Sequence, residues 1–127
     1  MDWQPISEGS VWDLINAAEL RMTAPQQKLW DSVRIIPMKW TEPSYGVAGG
    51  GFWAVGVIGS IVVWYNDIED GFNCSPYRTF GEIKEYRCNQ DDLEHVMEDL
   101  LAQIKNGYSS APVVSPPIPG EFSNFIQ

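Results

Sequence analysis

Apolar residues along this chain recur first at helical and later at alternating spacing. Val11, Leu14, Ile15 and Ala18 fall on one face of a 3.6-residue repeat, and Ser10 with Asp13 three positions on resembles a capping box, so a helix is predicted to about Met22. Thr23-Ala24-Pro25-Gln26 supplies a cap, a proline suited to a first turn and a Gln three residues after the cap. A second short helix is expected over 25–32, anchored by Leu29 and Trp30. The run 33–40 is rich in β-formers, with Ile36, Met38 and Trp40 alternating onto one face, and Pro37, which has no N–H to donate, assigns it to a sheet edge. Residues 41–51 read as a loop. Two apolar runs, 52–58 and 61–65, flank Gly59-Ser60, the pattern of a hairpin with a II′ turn.

Beyond the acidic stretch 66–71, residues 72–77 and 83–88 read as further strands of a meander. Asn89 is expected to cap a last helix in which Leu93, Val96, Met97, Leu100, Leu101 and Ile104 form a buried stripe, and Asn106-Gly107 is expected to end it. The fold class expected is α+β, a four-stranded, mainly antiparallel sheet with two N-terminal helices and one C-terminal helix, in a single domain over 1–107. From Tyr108 onward Pro112, Pro116, Pro117 and Pro119 favour extended backbone, and Phe122, Phe125 and Ile126 follow. Residues 108–127 therefore read as an arm that packs back on the body or adds a strand to a second copy, giving a homodimer.

An apolar fraction of 44% in 127 residues, with six Trp, is enough for one packed core. The formal charge of −9 repels phosphate backbones and anionic lipid surfaces, which argues against direct nucleic-acid or membrane binding and favours a basic partner. No apolar run approaches the roughly 20 residues that cross a bilayer, and Met1-Asp2-Trp3-Gln4-Pro5 lacks the basic start of a secretory signal. A cytoplasmic location is expected, with Cys74 and Cys88 reduced strand residues whose spacing matches no zinc site.

Candidate chemistry is sparse. His95 is the single histidine and falls off the apolar stripe of the last helix, so nucleophilic catalysis lacks its usual base. Gly49-Gly50-Gly51 is followed by no Lys-Ser or Lys-Thr and precedes a strand, unlike a phosphate-binding loop. Asn66-Asp67-Ile68-Glu69-Asp70-Gly71 has acidic oxygens ahead of a glycine, but Ile68 and Tyr77 stand where a calcium loop needs ligands. The chain is thus expected to be no enzyme and to need no cofactor and no metal. Trp64-Tyr65 running into an acidic turn reads instead as an interface, with Trp64 or Tyr65 as anchors and Asp67, Glu69 and Asp70 presented to a basic partner. The competing class is a small-ligand or regulatory module using the aromatic face of the sheet, including Trp40, Trp53 and Tyr86. A metal-dependent enzyme using Asp67 is the third.

Gly49-Gly50-Gly51-Phe52-Trp53, the segment from Trp64 through Asn66-Asp67-Ile68-Glu69-Asp70-Gly71 to Asn73, then Gly81-Glu82-Ile83 and Asn89-Gln90-Asp91-Asp92-Leu93, together resemble a group of small bacterial proteins. That group is similar to immunity proteins, the intracellular antidotes encoded beside interbacterial toxins. The resemblance implies a partner that is a cognate protein toxin, with acidity suited to a basic nuclease. It reaches Trp64, Tyr65, Asn66, Asp67, Glu69, Asp70 and Phe72, and leaves out the first 32 residues and the proline-rich tail.

Overall fold

Capping chemistry sets where the two N-terminal helices begin. In the computed structural model, which describes residues 3–107, α1 spans Glu8–Arg21 and is capped by Ser7, whose side chain accepts the Ser10 N–H. The helix opens earlier than expected because two serines compete for the cap, and the upstream one wins. Ser10 lies inside the first turn. Helix α2, Ala24–Val33, has the full capping box, with Thr23 and Gln26 each satisfying the other's backbone N–H. The expected arm over 108–127 and its dimer lie outside the described residues.

Four strands follow, β1 (Arg34–Trp40), β2 (Phe52–Ile58), β3 (Ile61–Asn66) and β4 (Gly71–Pro76), all antiparallel neighbours in the order β1-β2-β3-β4. The β2–β3 turn has Gly59 at φ +56 with Ser60 outside the positive region, as a II′ turn requires. Strand β1 is an edge, but its expected apolar face fails: Ile36 is 76% exposed and Met38 partly exposed, while Pro37 and Trp40 are buried. A register shift between Arg34 and Met38 breaks the alternation that the sequence suggests.

Residues 83–88 do not form the expected strand. They run irregularly along the outer edge of β4 and are tied to it mainly through side chains, so Cys88 is not a strand residue. Asn73 receives the Asn89 N–H on Oδ1 and donates to the Asn89 carbonyl, Ser75 Oγ donates to the Glu85 carbonyl, and Arg87 Nη1 donates to the Cys74 carbonyl at 2.6 Å. This segment closes the β4 edge without adding a fifth strand.

Helix α3 spans Leu93–Asn106, begins at Asp92 rather than Asn89, and ends at Gly107 with φ +79. Asn89 is unavailable as a cap because its backbone is held by Asn73. The buried stripe covers Leu93, Val96, Met97 and Leu100, whereas Ile104 is 62% exposed. No helix among the described residues is long and apolar enough to cross a membrane.

The sheet is covered differently on its two faces. Val55, Val63, Tyr65 and Phe72 pack under the three helices with Val11, Ile15, Trp30, Leu93 and Met97. Trp40, Phe52, Ala54, Val62 and Trp64 face the other way and are covered by loops that contribute Ile83, Tyr77, Tyr86 and Trp3. Glu19 of α1 joins the helices to the sheet, accepting from Trp30 Nε1 at 2.7 Å and from Arg34 Nη1 at 2.5 Å.

Candidate functional site

Asn66 builds the hairpin tip at which the acidic residues gather. It is fully buried, its Oδ1 accepts the N–H groups of Ile68 and Glu69, and its amide donates to the Arg87 carbonyl. Asp70 adopts φ +58, which a short polar side chain tolerates. Gly71 is obligatory for another reason: a Cβ there would lie 2.3 Å from the Asn89 carbonyl oxygen and 2.4 Å from Gln90 Cα. The tip is therefore pressed against the chain that leads into α3, bringing two acidic segments together.

Within this tip the carboxylates do different things. Asp67 turns inward, where Oδ2 accepts the Ile6 N–H at 2.7 Å, and Trp53 Nε1 donates to the Ile6 carbonyl at 2.9 Å. The N-terminal segment is thus strapped across the sheet, with Trp3 stacked on Phe52 and its ring filling the space beside Gly49. Burial raises the Asp67 pKa above its usual value, opposed by the Ile6 N–H, its own backbone, the Trp3 indole and the charge of Lys39. The Trp3 dipole acts on Asp67, yet the pair falls short of hydrogen-bond geometry. Trp3 Nε1 and Asp67 Oδ1 are both buried without a hydrogen-bond partner among the described residues.

Trp64 and Tyr65 are not presented as anchors. Trp64 is 0% exposed and donates through Nε1 to Ser75 Oγ, and Tyr65 is 6% exposed with its hydroxyl 3.5 Å from Asp70 Oδ1. They lie in β3 with both faces covered, so their bulk supports the tip from within. Burial pushes the Tyr65 phenol up to about 12, helped by the charges of Asp70, Asp67 and Asp92. Three carboxylates from the tip and from the start of α3 thus act on one hydroxyl. Glu69 is half-buried, while Asp70 and Asp92 are exposed.

Along α3 the acidic groups are similarly divided. Glu94 is buried and held by Arg21 at 2.6 and 3.2 Å. Burial alone would raise its pKa, but the hydrogen bonds and charge of Arg21 outweigh that and hold it below the usual value. Asp92, Glu94 and His95 bring one ligand atom each within 4.8 Å of one another. Glu94 in that group already has a cation in Arg21. His95 is exposed, its Nδ1 4.0 Å from Asp92 Oδ2.

Among the described residues, two concave regions stand out. On the loop-covered face the aromatic residues fill the space themselves: Phe52 and Trp64 are 4.8 Å apart, Tyr45 and Tyr86 4.2 Å, and Trp40 meets Tyr77 and Phe80 edge-on. What is left there is a depression of about 390 Å³ at Thr41, Pro43, Val47 and Gly50. Glu42 beneath it is committed to the loop backbone, accepting from the N–H groups of Ser44, Tyr45 and Gly46. The second region is a groove of about 390 Å³ between β4 and α3. His95, Asp99 and Gln103, spaced four apart on α3, form one wall, and Asn73, Asn89 and Asp91 lie on the other.

Sequence reasoning located the acidic tip and missed this groove. The spacing of His95, Asp99 and Gln103 was legible, but the opposing wall depends on the irregular segment read as a strand. The chain matches no protein-family model, no curated protein and no solved structure.

Proposed function

We propose that this protein binds and neutralises a basic protein toxin, as the immunity proteins it resembles do, without performing a reaction of its own. The observation that carries the reading is the packing of Gly71 against Asn89 and Gln90, with Phe72 bridged to Asp91, which brings Asp70 and the Asp91–Asp92 pair from two separate elements to one end of the molecule. Exposed carboxylates on a buried, well-packed support steer a basic partner and hold its orientation, and they stand where substrate phosphates would approach a nuclease. In this reading Glu69, Asp70, Asp91 and Asp92 meet the partner, while Trp64, Tyr65 and Asp67 hold the surface in shape. The site of action is the cytoplasm, where a toxin would be met after entry.

Co-expression with the protein encoded by the adjacent gene tests this. The expected result is a complex whose affinity falls as salt rises and which Asp70→Lys with Asp92→Lys abolishes. No complex at any ionic strength, or one indifferent to both charge reversals, overturns it.

A further inference from the structure

The groove between β4 and α3 mixes polar groups that are already engaged with apolar surface that is not fully covered. Asn89 Nδ2 donates to Asp91 Oδ2 at 3.2 Å, Gln103 Nε2 to Asp99 Oδ2 at 2.9 Å, and Arg87 Nη1 to the Cys74 carbonyl at 2.6 Å. Asn89 and Asp99 have further partners as well. Ile61, Cys74 and Pro76 line the same groove half-buried, with Phe72 and Val96 beside them. What the groove leaves to be covered is therefore apolar, and it selects an apolar occupant rather than an ion.

We infer that this groove is the seat of the chain's own residues 111–115, Ala-Pro-Val-Val-Ser, running back along α3 in extended conformation. Reach commits the groove to this occupant. Gln103 borders the groove four residues before Gly107, whose φ of +79 turns the chain off the helix, so the chain leaves α3 beside the groove. From Gln103 back to His95 the helix rises about 12 Å at 1.5 Å per residue, a span that about four extended residues cover. Residues 108–110 supply the turn. The chemistry agrees, because no charged residue occurs from Tyr108 to Gly120, and Val113 with Val114 offers two apolar side chains for the surface of Ile61, Cys74 and Val96. Pro112, Pro116 and Pro117 favour the extended form and have no N–H, so the segment can be covered with few backbone donors to satisfy. A tethered segment also meets the groove at an effective concentration that a separate molecule lacks.

The test places photoreactive p-benzoylphenylalanine at Val114 in the full chain. After irradiation, mass-spectrometric mapping should find the attachment within one molecule, on groove residues such as Ile61, Cys74 or Val96. Attachment to a second copy, seen as a covalent dimer on a denaturing gel, overturns the seat in favour of exchange between copies, and attachment only outside the groove overturns it outright. A second measurement uses the Cys74 thiol as the reporter. Val113→Asp with Val114→Asp should speed its modification by iodoacetamide about tenfold, whereas Phe122→Asp with Phe125→Asp, the same added charge farther along the chain, should change it less than about twofold. Both pairs follow α3 in sequence and leave the residues of the helices and the sheet intact. Equal rates in the two pairs overturn the seat.

Discussion

Asp67 Oδ2 lies 2.7 Å from the backbone nitrogen of Ile6, so the hairpin tip and the N-terminal segment are held by one charge-assisted hydrogen bond. Removing the acceptor strands a partly buried N–H and releases Trp3 from its seat on Phe52. Asp67→Ala is expected to destabilise the fold by about 2 kcal/mol, and Asp67→Asn, which keeps an acceptor, by less. Urea unfolding followed by Trp fluorescence measures both. Equal stability of Asp67→Ala and the parent would show that the strap contributes nothing.

Glycine substitutions separate strain from collision. At Gly50 a side chain meets only the positive φ of +76, in open space, and Gly50→Ala should cost about 1–2 kcal/mol. At Gly71 the new Cβ meets backbone on the chain entering α3, and Gly71→Ala should cost about 3 kcal/mol. The order of the two midpoints in urea is the discriminating measurement.

Burial pushes the Cys74 thiol up to about 12. At pH 8 its thiolate fraction is then only about one in ten thousand, so alkylation of the native protein should be negligible at this position. Iodoacetamide labelling with mass-spectrometric mapping should show Cys74 modified only in denaturant. Rapid native labelling would mean that the covering segment opens readily.

Stability should respond to pH in opposite senses at two carboxylates. Glu94 is held below its usual value of 4.5, so its contribution is present above that pH and is lost as pH falls through the folded value. Asp67 is raised above 3.8, so the folded state takes up its proton more readily and this group's contribution declines as pH rises through the acidic range. Glu94→Gln should flatten the acid loss of stability, and Asp67→Asn should steepen it. Chemical denaturation from pH 3 to 7 on the three proteins reads the slopes directly.

Trp64 and Asp70 should exchange roles between two assays. Trp64→Ala leaves a cavity in a covered strand and should cost about 3–5 kcal/mol, whereas Asp70→Lys should change stability by less than about 1 kcal/mol. In binding to the proposed basic partner, Asp70→Lys should be the damaging change, while Trp64→Phe should retain affinity as long as the protein folds. A strong loss of affinity in a stably folded Trp64→Phe would return Trp64 to the contact surface.

Much of the fold was legible where the determining partners are close in sequence. The Thr23–Gln26 box and the Gly59-Ser60 turn are local, and both occur as read. The faces of β1 were misread because the shift between Arg34 and Met38 reflects pairing with β2, which spacing within β1 does not reveal. Residues 83–88 have strand-like composition, but the Glu85 and Arg87 carbonyls are met by the distant side chains of Ser75 and Asn66. The acidic tip was found as a cluster of charge. The inward turn of Asp67 was not, because its partner Ile6 lies sixty-one positions away.

The irregular segment beside β4 also limits how copies of this protein associate. Among the described residues, Arg34–Trp40 pairs with β2 alone, whereas β4 is shielded on its far side. A β-sheet able to grow at one border is terminated once two copies meet there back to back. Edge pairing through β1 would stop at a closed pair and could not propagate into a filament.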